Sequence, residues 1–263
     1  MSELVKRGSW IFWRIMLIGV GFTAILWAGF VFPVFRRDAA KQEVAAKILA
    51  GEDFPSDLLA YLDDGSDLTQ TYSYPPALRD SSIIRLRRTE LALTTHRQNE
   101  VYADLASLNH LLIRALTVTP TDSFLWLALF WTQNMAHGYG PQSLEYLKMS
   151  YFCGAREGWI AARRNRLAIS LFNALPPSAR IAALSEFKDL ITYGYISEAA
   201  KIFIGPGWNI RDFLILNLAG LPPEVRDSFN SNVAALGYDI QSQTTKTLVK
   251  NSLPSRRLND GNK

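Results

Sequence analysis

From Ile15 to Phe35 the chain runs for 21 residues without a charged side chain, between Arg14 and the pair Arg36–Arg37. No other feature constrains the fold as strongly. As a helix rising about 1.5 Å per residue, such a stretch measures about 30 Å, the thickness of a bilayer's hydrocarbon core. Trp10, Trp13 and Trp27 supply amphipathic rings suited to a membrane interface, although Trp27 lies deeper. Gly19, Gly21 and Gly29 are compatible with a membrane helix, and Pro33 falls near the end, where a lost hydrogen bond costs least. A cleaved signal peptide has a shorter apolar region and then small residues. Here the segment closes on the bulky run Phe30-Val31-Phe32-Pro33-Val34-Phe35. The expectation is an uncleaved signal-anchor over residues 15–35, preceded by a short tail, 1–14. Lys6, Arg7 and Arg14 come before it, and Arg36, Arg37, Lys41 and Lys47 follow, so the flanking charge is nearly balanced. Short basic N-terminal tails stay inside. That places the large domain on the non-cytoplasmic side of an inner or plasma membrane, periplasmic in a bacterial cell.

A second apolar run, Phe124 to Trp131, raises the question of a second span. Asp122 precedes it, and Thr132, Gln133, Asn134 and His137 follow within two turns. Its strongly apolar part is about 12 Å long as helix, well short of a membrane crossing. It reads as a core helix surrounded by other helices. Phe213 to Gly220 is likewise too short.

The remaining pattern is helical throughout. Asp38 to Glu52 is rich in helix formers and ends at Gly51. Residues 36–79 read as a linker of helix and loop, with a short helix from Ser56 to Leu62. Val101, Leu105, Leu108, Leu112 and Ala115 form a stripe of period near 3.5. Asp122 or Ser123 caps the helix that carries the second apolar run. Further helices are expected from Leu144 to Phe152 behind a Ser143 cap, Glu157 to Leu175, Ser178 to Thr192, Ser197 to Phe203, Asn209 to Leu218 and Pro223 to Leu236. No convincing alternating strand occurs. The fold class is therefore all-α: an N-terminal transmembrane helix and a helical-hairpin domain over 80–240, with a polar, disordered tail over 241–263.

Ala115, Pro120, Trp126 and Leu129 match the spacing at the junction of two tetratricopeptide repeats, and Trp159 opens a later helix in a similar way. The region from Val101 to Phe172 thus resembles tetratricopeptide-like hairpins. It departs from them at Phe130, where the family has glycine, and at Gln133, where it has tyrosine. The run from Pro120 to Leu167 also looks like small membrane-anchored helical proteins associated with bacterial envelope polysaccharide synthesis. These resemblances imply a stack of hairpins that binds protein partners at the cell envelope.

Chemistry-bearing motifs are scarce. His96, His110 and His137 have no partner at zinc-protease spacing, and Asp63 to Asp67 lacks the calcium-loop pattern. There is no phosphate loop, nucleophile elbow or dinucleotide fingerprint. No catalytic residue, cofactor or metal site is expected. The formal net charge of +4 is too slight for a nucleic-acid face. The single cysteine, Cys153, reads as a buried inert thiol. Two basic clusters remain. Arg85, Arg87 and Arg88 form one; Arg156, Arg163, Arg164 and Arg166, on or beside the Trp159 helix, form the other, with Arg156, Arg163 and Arg166 on one face by helical spacing. One reading is a binding surface for an anionic ligand such as an acidic polysaccharide, a lipid headgroup or an acidic partner. The other is helix-face arginines paired with carboxylates such as Glu145 and Glu157. The whole points to a single-pass anchored scaffold that binds partner proteins. The rivals are an envelope enzyme working through two carboxyls in a cleft, and a structural subunit of a membrane complex.

Overall fold

The computed structural model describes residues 2–63, 65, 75–94, 98–154 and 157–240. Side chains within helices are described except at 2–12, 15, 30–35, 37 and 98–100. All regular structure among the described residues is helical, so the all-α class holds. The chain divides into two compact units, 1–120 and 121–263. That boundary falls inside the 80–240 stretch read from the sequence as one domain.

Unit 1 contains α1 (Ser2–Leu49), α2 (Ser56–Leu62), α3 (Pro75–Thr94) and α4 (Gln98–Val118). α1 runs unbroken for 48 residues, and its two halves differ in environment. Every described side chain from Met16 to Trp27 is exposed. Further along, Lys41, Ala45 and Ile48 are buried, where α1 packs on α3. Residues 38–49 are thus built into unit 1 rather than serving as a linker, because Ala45 and Ile48 lie on one helical stripe facing α3. Among the described residues, no helix is long and apolar enough to cross a membrane. The described side chains of the uncharged segment run unbroken only over residues 16–29.

α3 packs against α1, α2 and α4, and it starts at Pro75 rather than Asp80. Contact on several sides explains why ten of its residues are buried although its apolar positions do not form one face. Its buried hydroxyls bond locally: Ser82 Oγ donates to the Leu78 carbonyl at 2.7 Å, and Thr89 Oγ1 donates to that of Arg85 at 2.9 Å. Lys41 is 1% exposed, and its Nζ donates to Ser81 Oγ at 3.1 Å. Burial pushes the Asp80 carboxyl up, with the Arg79 charge opposing.

Unit 2 contains α5 (Ser123–His137), α6 (Pro141–Cys153), α7 (Gly158–Ser170), α8 (Pro177–Thr192), α9 (Ile196–Ile204), α10 (Arg211–Asn217) and α11 (Pro223–Ala235). Asp122 caps α5 by accepting from the Phe124 and Leu125 amides at 2.9 and 3.2 Å. The apolar run within it is a core helix: Phe124, Leu125, Leu127, Ala128, Leu129 and Phe130 are buried. α5 is 15 residues long and packs on α6, which it joins through Gly138 at φ 76°. α6 begins at Pro141, so Ser143 lies inside its first turn, where its hydroxyl accepts from the Gly140 amide. α7 ends at Ser170, before a 3₁₀ turn over Phe172–Ala174, earlier than the sequence suggested. α7 pairs with α8, and α8, α9 and α11 enclose an aromatic core. There Phe229 meets Phe187 at 5.9 Å and Phe203 at 5.6 Å, both edge to face.

Candidate functional site

The two basic clusters lie in different units, and the first is taken up by ion pairs within unit 1. Arg85 is buried in α3, where its Nε donates to both Asp63 oxygens at 2.8 and 3.0 Å and its terminal nitrogen pairs with the same carboxylate. It is therefore not a binding residue, because its guanidinium fork is spent on Asp63 inside the fold. Arg88 is half-buried and bridges Asp63 at 2.9 Å and Asp104 at 3.0 Å, tying the end of α2 and α4 to α3. In unit 2, Trp159 is half-buried with its ring 5.5 Å from Phe124. Arg163 is half-buried and Arg166 is exposed. Arg156 lies outside the described residues, as do His96 and the 241–263 tail. Glu145 pairs with Lys148 at 2.7 Å rather than with an arginine. Cys153 is half-buried, and burial pushes its thiol up, away from the reactive thiolate.

The arginine that organises unit 2 is Arg164, on the opposite side of α7 from the expected set. It is 0% exposed. Its Nε donates to Glu186 Oε1 at 3.0 Å, and one terminal nitrogen reaches the same oxygen at 2.6 Å and the Gly154 carbonyl at 3.0 Å. The other terminal nitrogen donates to the Ser150 carbonyl at 2.6 Å and to Ser150 Oγ at 3.2 Å. Its guanidinium also lies over the Tyr151 ring, 4.3 Å from the centroid. Ser150 Oγ donates in turn to the Ser123 carbonyl at 2.9 Å. One side chain thus links the end of α6, the start of α5, and α8. Gly154 is required at this point because an added Cβ would stand 2.2 Å from Ser123 Oγ and 2.4 Å from Ser123 Cβ.

Glu186 is 5% exposed. Burial pushes its carboxyl above the usual range, and Arg164 pulls it partly back. One of its oxygens is held by Arg164. The other, Oε2, is buried, and the Tyr151 and Asn165 side chains beside the carboxyl also favour its charged form. Asn165 spends its amide on the Ala183 carbonyl at 2.7 Å.

Glu186 also forms part of the wall of a cleft of about 490 Å³, lined by Gly158, Ala161, Glu186, Asp189, Leu190, Tyr193 and Tyr195. Glu186, Asp189 and Leu190 come from one face of α8, at spacings of three and four residues, and Tyr193 is the C-cap residue of that helix. The α8 end turns sharply through Gly194 at φ 89°, and the Tyr195 amide closes back on the Leu190 carbonyl at 2.8 Å. That turn brings Tyr193 and Tyr195 to the same cleft. The Tyr195 ring lies against Gly158, where an added Cβ would be 2.3 Å from ring carbons. A larger residue at the start of α7 would displace the ring. Sequence reasoning missed this group. The available signal was the Glu186, Asp189, Leu190, Tyr193 stripe, which carries two carboxyls and a phenol on one helical face.

Comparison with known proteins gives no matching family, no matching curated protein and no matching solved structure. α5–α6 and α7–α8 are packed helical pairs, but no tetratricopeptide repeat emerges from them. No group of three or more histidine, cysteine or acidic side chains is arranged to hold a metal among the described residues.

Proposed function

We propose that this chain is a single-pass, membrane-anchored helical scaffold that binds partner proteins at the cell envelope, with its helical units on the non-cytoplasmic side. The observation that carries the reading is the division of α1. Trp13, Leu17, Ile18, Phe22, Ile25 and Trp27 are each at least half exposed on a helix whose other end is packed into unit 1. Each large apolar side chain left in water forgoes about 1.5–3 kcal/mol relative to burial. A bilayer supplies that burial on every side of the helix, as no single protein face does. Continuity of α1 with the α3 contact then holds unit 1 close to the membrane, and tethering raises the local concentration of membrane partners. Machinery for envelope polysaccharide assembly is the partner class to which the sequence resemblance points.

Alkaline extraction of membranes tests the anchor. The full chain is expected to stay with the membrane pellet, and a form starting at Asp38 is expected in the supernatant. Crosslinking of both forms in cells then separates a partner-binding helical domain from a span that does the binding itself. Recovery of the full chain in the supernatant overturns the reading.

A second reading, an enzyme acting on an envelope polysaccharide, draws on one observation. Glu186 and Asp189 line one cleft, and burial raises the first of them. Turnover of a polysaccharide that is lost in Asp189→Asn favours it.

A further inference from the structure

We propose that unit 2 pairs with a second copy of itself, in a two-fold dimer, through an apolar strip on α8 and α10. The proposal stands on unit 2 alone and needs no membrane span.

The two helices lie side by side and in step. At one end the Phe172 ring is 6.0 Å from that of Phe213 on α10 and 5.7 Å from the guanidinium carbon of Arg180 on α8. One turn on, Asn217 Nδ2 donates to the Leu184 carbonyl at 2.6 Å. At the other end Lys188 Nζ lies 3.5 Å from where a Cβ on Gly220 would stand. Ile181, Leu184 and Lys188 follow one face of α8 at helical spacing, and Asp212, Phe213 and Leu216 lie on the outer side of α10. Leu214 is completely buried and pins the inner side of α10 to the core. The outer side cannot turn inward without expelling it. Ile181 is 68% exposed, Phe213 58% and Leu216 74%. Three large apolar side chains on neighbouring helices therefore stand in water, each forgoing most of the free energy of its burial.

Charge decides what covers them. Asp212 is exposed at the Phe213 end, and Lys188 stands about 12 Å farther along α8. Arg180 and Arg211, also at the first end, donate to the carbonyls of Leu175, Asn173 and Trp208. Exposed Asp189 follows Lys188 at the second end. Each end thus carries both signs. An anionic lipid face would attract the cations and repel Asp212 and Asp189 together. A second copy offers the same mixed rim in reverse order. A two-fold axis through the middle of the strip, near Leu216, lays the Asp212 end of one copy on the Lys188 end of the other. Leu216 then packs about the axis, and Asp212 meets the partner's Lys188 once on each side, as an isologous interface requires.

Sedimentation equilibrium of the full chain in density-matched detergent tests this. The expected result is a concentration-dependent monomer–dimer equilibrium. Leu216→Glu places two carboxylates at the axis and is expected to raise the dimer Kd by about tenfold or more. Asp212→Lys and Lys188→Asp are each expected to raise it by about tenfold, an exposed pair being lost on both sides of the axis. The double variant, Asp212→Lys with Lys188→Asp, restores the pair in reverse and is expected to recover dimerisation. An unchanged thermal midpoint shows that each variant is folded, and where Leu216→Glu is not, the charge-reversal series decides. A monomer at every concentration overturns the proposal. So does a dimer indifferent to Leu216→Glu, which would put the interface elsewhere, α1 included. Failure of the double variant to recover what the single reversals lose also overturns it.

Discussion

Arg164 and Glu186 form the pair on which the interior of unit 2 depends. Both are buried, Arg164 completely; Glu186 is held by Arg164, whose remaining donors go to the carbonyls of Ser150 and Gly154. Removing one partner strands the other in the interior. Arg164→Ala is expected to lower stability by about 3–5 kcal/mol, as breaking a buried pair does, whereas Arg164→Met with Glu186→Leu recovers most of that loss. Urea unfolding of the single and double variants checks this, and a double variant no better than the single one contradicts it. The pH dependence has a definite sign. Burial raises the Glu186 carboxyl above its ordinary 4.5 in the folded state. The folded protein therefore keeps this proton to higher pH than the unfolded chain does. The residue's contribution to stability is greatest below the unfolded value, declines as pH rises toward the folded one, and is flat beyond. Urea midpoints measured across the acid range should show that decline in the wild type and lack it in Glu186→Gln, whose midpoint is lower overall.

Individual elements follow local rules where solvent or a cap defines them, and depart from those rules where neighbours surround them. Asp122 illustrates the first case, since its side chain accepts from two amides of the first turn of α5. Asp122→Ala is expected to cost about 1 kcal/mol, the usual worth of an N-cap, readable as a lower thermal midpoint with unchanged helical circular dichroism. α3 illustrates the second. Its sequence offers no single apolar face, yet Asp80, Ser81, Ser82, Arg85 and Thr89 are all buried in it. These polar positions are accommodated because the neighbours bring partners: Lys41 from α1 meets Ser81, and Asp63 from the end of α2 meets Arg85. Periodicity counts apolar residues and has no way to register such cross-element pairs. The sequence therefore left Arg85 open between a ligand-binding arginine and one paired with a carboxylate, and in the fold it is the buried partner of Asp63.

At the scale of the molecule, unit 2 closes around the edge-to-face rings of Phe187, Phe203 and Phe229. Phe229→Ala removes the central ring from both edge-to-face contacts and is expected to destabilise by about 3–5 kcal/mol, measured as a shift of the urea midpoint. A change below about 1 kcal/mol would show that the ring cluster is not the centre of this core. The all-α class was legible in the sequence because helix formers, caps and breakers act within a few residues of one another. So was the reading of Phe124 to Trp131 as a core helix, since length alone separates it from a membrane span. The uncharged stretch from Ile15 to Phe35 is likewise a property of contiguous residues. The Glu186 cleft was not legible in the same way. Its α8 stripe is visible once sought, but Gly158 and Tyr195 join it only because the Gly194 turn folds the chain back onto α7. Helical spacing already set Arg164 apart from Arg156, Arg163 and Arg166, but only the packing of α7 on α8 decides that Arg164 is the buried one. Short-range regularities are written in the order of residues, whereas the pairing of buried charges and the walls of a cleft arise from residues brought together by packing.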